Sequence, residues 1–566
     1  MAKAPVVKLR THVERIRSKR HVYAVNVGGA RNPENHSIII ENAGRTYVYN
    51  PRIRVGGRSD WFDARTIVAD TIKGFRTDAE KALALCFLFD GTRYQRGNVD
   101  RHSVHPSVLL GSYGYGICGH SAAAQSSLAA RAGLKSRYWE LNHHTVTEVF
   151  FDGGWHMLDA NVPAFYLNRD NWTIASIAQL EEDPDLVARV TLPNGRDLRK
   201  HAPWYSTKDY HHHYPTQSEY AMADRNLGYA LKPFERFERY WKPVAFKYHD
   251  QANCPAAPKR YANGRFIYEP DLAKANPLTW LQDGRAYARN LAWTKGSSPF
   301  LRVERPQDSV HDLPAALIYD VKSGYVIVGG RLGIRGVKSG EGERDTLAVR
   351  VIPYGTRREG KVLFQALGSG EIVTEIDLAP GIQPWGNEGN YFYEVVVEMG
   401  AGAQDSQPGI TGLDGLQLAT DVQVAPGALP ALEVGRNEVV YTDETPGGRD
   451  VRVIHIWRER SGGEPPQAPA NLSPAGGEKV DTPSPVLEWR QPEGNGQIAE
   501  YQIIVSRWAH CRLPHCVNLC GPTGRNATHF DVGDWLVPGK RWYWKVRAKD
   551  TCGDWGPWSR IASFRT

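Results

Sequence analysis

The sequence predicts a multidomain α+β protein: an α+β core followed by two β-sandwiches, the second a separate C-terminal domain. Three observations carry this expectation. The chain has 566 residues, more than one hydrophobic core covers, and its length corresponds to roughly three to four domains. Helical and strand periodicities follow one another between residues 65 and 165, whereas short alternating strands recur without helices from residue 300 onward. Finally, the Pro/Gly-rich stretch RSGGEPPQAPANLSPAGG interrupts that strand pattern and reads as a linker.

Taken in order, residues 1–60 form an N-terminal β segment, with HSIIIENAG and RTYVYNPRIRV as short strands broken by Asn and Gly. The basic run KLRTHVERIRSKR before them reads as a solvated face. Residues 61–200 hold the α+β core. Its first clear helix is TDAEKALALCFLF, where Thr77 and Glu80 make a capping box and Leu83 and Phe87 share an apolar face. Residues 201–300 are rich in Tyr, Trp, His and Pro without a clean period, and read as an irregular extension of the core. Residues 301–458 carry GYVIVGGRLGI, TLAVRVIPY, YFYEVVVEM and VRVIHIW, the pattern of a β-sandwich. Residues 459–470 are the linker, and 471–566 the last β domain.

The chemistry concentrates between residues 114 and 161. YGYGIC is a glycine-rich approach to a helix, GHSAAAQSSLAARA, that ends at Gly133. Cys118 therefore falls at the helix start, where unpaired N–H groups and the positive end of the dipole favour a thiolate. The same N–H groups could hold an oxyanion. Cys86, inside KALALCFLF, is the contrasting case of a cysteine on an apolar helix face. Downstream, HTVTEVFF and WHMLDAN alternate and are joined by DGG. If Asp152 and Gly153 are a two-residue turn, Phe151 pairs with Gly154, and Asp159 lies one diagonal step from His144 on the same face. A slip of one residue would put them on opposite faces. Cys118, His144 and Asp159 then supply a thiol nucleophile, its base and the carboxylate that orients the base.

This constellation resembles the bacterial transglutaminase-like superfamily, a papain-like cysteine fold. The residues that carry the resemblance are Cys118 at its helix start, RAGLKSRYW, and the histidine followed by EV…DGGWHMLDAN. The family's Cys, His and Asp fall on Cys118, His144 and Asp159, and the resemblance spans residues 65 to 165. It implies a thiol-dependent acyl transferase or amide hydrolase: a peptidase, amidase or transamidase. His143 is adjacent to His144, and either could occupy the base position. In the last domain PVLEWRQP, AEYQIIVSRW and GKRWYWKVRAKD with GDWGPWS resemble the fibronectin type III family, a binding or spacer module.

Further candidates for substrate binding or alternative acid–base roles are His143, His120, Tyr115, Tyr210, His211 and Tyr214. The run YHHHYPTQSEY cannot ligate one ion by itself, because adjacent strand residues point to opposite faces. Trp204 and Tyr205 could be stacking platforms for sugar rings or core residues. No cofactor and no metal are expected. Four of seven cysteines, Cys511, Cys516, Cys520 and Cys552, cluster near the C-terminus. That grouping reads as disulfides and an oxidising compartment, with zinc or free thiols as rivals. A secreted or periplasmic location follows, the signal peptide being removed. The net charge of +7 is spread thinly, which permits a polyanionic substrate without arguing for nucleic acid. No apolar run reaches the ~20 residues of a membrane span.

Two other functions compete with acyl transfer. One is a polysaccharide lyase acting on uronic-acid polymers, with His143 or His144 and a tyrosine such as Tyr210 or Tyr214 as base and acid. The other is a non-catalytic extracellular adhesion or scaffold protein. The expected partner is an extracellular polymer: protein, peptidoglycan or acidic polysaccharide.

Overall fold

The computed structural model describes residues 6–92, 94–95, 100–206, 211–215, 225–242, 245–247, 261–280, 286–305, 313–353, 360–382, 389–404, 407–408, 410–461, 463–492, 498–523 and 527–566. Most of it is β-structure arranged in several sheets.

Among the described residues the largest sheet has 14 strands and joins sequence-distant parts of the chain. Val6–Ile16 pairs with Val451–Ser461, which pairs in turn with Arg31–Asn42. Glu235–Tyr240 and Gly264–Tyr268 continue the sheet toward Gly412–Val422 and the long strand Ala315–Lys338. A second sheet places Arg20–Val27 beside Gly435–Thr442 and Arg52–Val55. Between the two sheets Val25, Ile40, Ile53, Val439 and Val453 are buried with almost no exposure. The described strands within residues 6–60 and 301–458 therefore share one β body rather than forming two domains, and the α+β module is inserted between them. The expected extension 201–300 likewise divides: His212–Pro215 joins the module's sheet, while Glu235–Tyr240 and Gly264–Tyr268 join the large sheet. KLRTHVERIRSKR is largely an edge strand whose charges pair across it. Arg10 Nε donates to Glu459 at 2.8 Å, and Arg15 Nε to Asp450 at 2.7 Å.

The α+β module contains α1 (Ala64–Thr71), α2 (Asp78–Phe87) and α3 (Cys118–Arg131). Its sheet contains β1 (Lys135–Leu141), β2 (His144–Phe151), β3 (Gly154–Leu158) and β4 (His212–Pro215). The order is β3–β2–β1–β4, all antiparallel. The α2 capping box forms as expected from Thr77 and Glu80. Small residues on α3, among them Ala122, Ala124, Ser126 and Ala129, let the helix approach the sheet closely. Thr147 Oγ1 on β2 donates to the Ala122 carbonyl at 2.9 Å, which pins the helix to the strand that carries His144. A π-turn at Val108–Tyr113 delivers the chain to α3 and is fastened to the β body, with Ser112 Oγ donating to the Gln423 carbonyl at 2.9 Å.

The C-terminal domain is a β-sandwich of a three-stranded and a five-stranded sheet around Trp489, Trp542 and Trp544. It shares one hydrophobic cluster with the α+β module. His510 contacts Glu80 at 2.8 Å, and Trp172 meets Trp542 edge to face at 6.0 Å between centroids. Arg31, from the first strands, bonds Asp550 at 2.7 Å and also reaches Asp554. The expected disulfides are not formed: Cys511, Cys516, Cys520 and Cys552 are free thiols. Cys511 Sγ faces the carbonyls of Ile504 and Tyr543, at 3.6 and 3.8 Å, and Cys516 is buried. Cys552 lies on an exposed turn beside Asp550. Tyr543 and Asp550 are seven residues apart on the strand Arg541–Asp550, about 23 Å at the usual strand rise. Among the described residues no helix is long and apolar enough to cross a membrane.

Candidate active site

Three local features bring Cys118, His144 and Asp159 together. Cys118 opens α3 and is half-buried. Gly116 just before it has no room for a side chain, since a Cβ there would lie 2.8 Å from Leu109 Cδ1 and 3.1 Å from His120 Cβ. The β2–β3 turn is the tight hairpin in which both central residues are left-handed, with φ of 49° at Asp152 and 82° at Gly153. Phe151 pairs with Gly154, and Thr147 with Leu158. This register sets Asp159 beside the start of β2.

His144 Nε2 donates to Asp159 Oδ2 at 2.7 Å, and both side chains are buried. Asp159 Oδ1 accepts from the N–H groups of Asn161 and Val162, at 2.8 and 3.1 Å. Its Oδ2 also accepts from the Tyr205 hydroxyl at 3.0 Å. Burial pushes the Asp159 carboxyl upward, but the charge and hydrogen bond of His144 and these N–H donors outweigh it, and the net shift is downward. Burial opposes protonation of His144, yet Asp159 and then Cys118 raise it to about 9. With Nε2 committed to Asp159, Nδ1 is the ring nitrogen left for sulfur. Burial raises the Cys118 thiol, but His144, the Thr145 hydroxyl and the Gly119 N–H lower it further, so the net shift is downward. Cys86 is the opposite case: fully buried in the core, its thiol is held well above the usual range chiefly by burial.

The other candidates separate clearly. His143 is exposed in the β1–β2 turn with φ of 56°, so His144 alone of the pair reaches Asp159. His120 Nδ1 accepts from the Ile117 N–H at 3.3 Å at the start of α3. Tyr115 is a core residue, 2% exposed and packed edge to face on Tyr113 at 5.3 Å. His211 Nδ1 pairs with Glu181, and its Nε2 lies 3.3 Å from the Trp204 carbonyl. Tyr214 lies in β4 opposite Tyr138. Tyr210 lies outside the described residues.

Several residues at the site carry no motif. Tyr205 is fully buried behind Asp159, and Trp204 packs on His144 with centroids 4.4 Å apart. His201 also stacks on Trp204, with centroids 4.2 Å apart. The ring stack therefore holds the imidazole plane, and Tyr205 holds the carboxylate. On β2, Thr145 faces the sulfur. The buried Glu148 instead braces the sheet, accepting from Arg137 Nε and Trp139 Nε1 at 2.5 Å each and from the Ile177 N–H at 2.7 Å. The aromatic content of residues 200–206 was the only signal in sequence for this layer, and it did not indicate which rings face the histidine.

Comparison with known proteins defines the C-terminal domain. Residues 476–566 match the family described as Rha78A-like, N-terminal immunoglobulin domain. With its two packed sheets, that domain is an immunoglobulin- or fibronectin-like β-sandwich. No curated protein matches the chain significantly. Among solved structures, the Clostridium perfringens spore cortex lytic enzyme SleM is 17% identical, with a TM-score of 0.14 over 22% of this chain and 35% of that one. The chicken CNTN1 FN1–FN3 domains are 13% identical, with a TM-score of 0.17 over 46% of this chain and 97% of that one. A β-1,2-glucanase from Parabacteroides distasonis is 10% identical, with a TM-score of 0.13 over 50% of this chain and 35% of that one. The chain thus spans about a third of the length of SleM. Likenesses this remote carry no functional argument.

Proposed function

We propose that the protein is a thiol-dependent acyl-transfer enzyme of the transglutaminase-like type, acting on amide bonds as a peptidase, amidase or transamidase. The carrying observation is the alignment of Cys118, at a helix start, with the buried His144–Asp159 pair. A thiol lowered beside a raised imidazole favours a thiolate–imidazolium pair. In the reaction Cys118 Sγ attacks the substrate carbonyl carbon, and the oxygen takes the negative charge. The positive end of the α3 dipole, beside Cys118, can stabilise that oxyanion. His144 Nδ1–H passes its proton to the departing amine, which leaves a thioester. Nδ1 then takes a proton from an incoming water or amine, whose attack releases Cys118. Asp159 keeps the imidazole oriented and stabilises its charged form throughout.

The competing lyase reading uses His143 or His144 as base with a tyrosine such as Tyr210 or Tyr214. His144 is committed to Asp159 and His143 stands apart in an exposed turn, which favours the thiol chemistry. The test is a panel of peptide, peptidoglycan and acidic-polysaccharide substrates run with wild type and Cys118→Ala side by side. Amide turnover should fall by ~10³-fold or more in the variant, with the melting temperature nearly unchanged. Equal turnover in the two proteins refutes the proposal.

A further inference from the structure

A cleft of about 790 Å³ opens where the α+β module meets the large β-sheet. It contains none of the triad residues, and its volume falls within the ~300–1,000 Å³ usual for small-molecule sites. Five chain segments wall it, around residues 49–50, 101–102, 225–230, 322–324 and 389–392. Arg101, Arg225 and Lys322 line it, and among the described lining residues there is no Asp or Glu. Carboxylates border the cleft: Glu444 accepts from Asn50 Nδ2 at 2.7 Å, and Glu394 lies beside Asp320 and Lys322. Asp100, beneath the floor, accepts from the Tyr113 hydroxyl at 2.7 Å and the Tyr391 hydroxyl at 2.5 Å. Asp320 sits 4.0 Å from Lys322.

Aromatic rings alternate with the cations. The Arg225 guanidinium lies 3.6 Å over the Tyr391 ring, and Lys322 Nζ is 5.3 Å from the Phe392 ring. His102, edge to face with Tyr391 at 5.4 Å, is kept neutral at physiological pH, lowered to about 4 by burial and then by Arg225. The floor is built to be close-packed. A Cβ on Gly389 would fall 2.2 Å from Asp100 Oδ2, one on Gly324 2.5 Å from the Leu227 backbone, and one on Gly228 2.6 Å from Asn50 Oδ1. The single helical turn at the wall, Arg101–Val104, has its N-terminus closed by Asp100, whose Oδ1 accepts from the His102 N–H at 2.9 Å. That short turn therefore offers no open N-terminus to a phosphate. Dispersed cations interleaved with rings suit a ligand carrying about one anionic group per ring.

We propose that this cleft binds an acidic saccharide, a short run of sugar rings bearing carboxylates or sulfates. Arg101, Arg225 and Lys322 neutralise the anionic groups, Phe392 supplies an apolar face for a ring, and the buried Tyr391 holds the Arg225 guanidinium in place. The site stands independently of the thiol chemistry at Cys118. Isothermal titration with a galacturonate tetramer, a sulfated heparin-derived tetrasaccharide and neutral cellotetraose tests it. Titrations use wild type, Arg225→Ala and Lys322→Glu, with melting temperature as the folding control; Lys322→Ala replaces any variant that does not fold. At least one acidic oligosaccharide should bind tenfold or more tightly than cellotetraose, and weaken with added salt. At least one substitution should reduce that affinity tenfold while leaving the alkylation rate of Cys118 unchanged. Carboxylate and sulfate arms identify which anion is preferred, and either preference supports the site. Absence of acidic binding, equal binding of cellotetraose, or affinities unchanged in every folded variant overturns it.

Discussion

At the scale of single residues, the contrast between Cys118 and Cys86 carries the functional argument. The same side chain is lowered beside His144 and raised in the core, so environment separates the nucleophile from the packing residue. Asp159 serves both neighbours, and its replacement is informative. Asp159→Asn should lower kcat by ~10²–10⁴-fold, and it should move the alkaline limb of the pH–rate profile down from near 9 toward an ordinary histidine value. The sign follows because Asp159 raises His144, so removing its charge lets the imidazolium lose its proton earlier. Tyr205→Phe deletes one donor to the same carboxylate. It should cost ~1–2 kcal/mol in urea unfolding and affect kcat much less than Asp159→Asn does.

At the scale of elements, the β2–β3 hairpin determines whether a triad exists at all. Its register could be read from sequence because a Gly-containing two-residue turn and the strand alternation are local signals. Gly153 holds φ of 82°, with open space around its Cβ position. Gly153→Val should therefore act through backbone strain, costing ~1–2 kcal/mol, measurable as a lowered urea midpoint. Activity should fall with it, because a one-residue slip turns Asp159 away from His144. The layer behind the site was not legible. Tyr205 meets Asp159 across 46 positions of chain, from a segment with no periodicity. The charged first strand was hidden for a related reason: its arginines find carboxylates more than 400 positions away, so locally it reads as surface. Four clustered cysteines pointed to disulfides by count alone, whereas pairing depends on where Sγ atoms point. With those thiols free, the cysteines no longer argue for an oxidising compartment.

At the scale of the whole molecule, the α+β module is held on two sides. The β body fastens the segment that leads into Cys118, and the C-terminal sandwich packs against the helices. Arg31 links the first strands to Asp550 in a nearly dry ion pair, with side-chain exposures of 5% and 2%. Arg31→Ala leaves that carboxylate without its cation, and breaking such a pair costs ~3–5 kcal/mol. Calorimetry should show the C-terminal sandwich melting earlier than the rest. Two deeply buried histidines, His455 in the β body and His515 at the sandwich interface, are lowered to about 3 chiefly by burial. Their folded values lie below the unfolded value of about 6.5, so the unfolded chain takes up protons first as pH falls. Stability present above 6.5 should decline by about 2 kcal/mol per histidine by pH 5. His515→Gln should flatten that slope in urea titrations at stepped pH.

The central claim is that Cys118 and His144 rest as an ion pair. The direct measurement is the rate of iodoacetamide alkylation at Cys118 against pH, located by peptide mass spectrometry because Cys552 is also exposed. Wild type should react at close to its plateau rate at pH 7, and His144→Ala should shift the titration up toward an ordinary thiol near 8.5. A wild-type profile that rises only near 8.5 and coincides with that of His144→Ala would contradict the account.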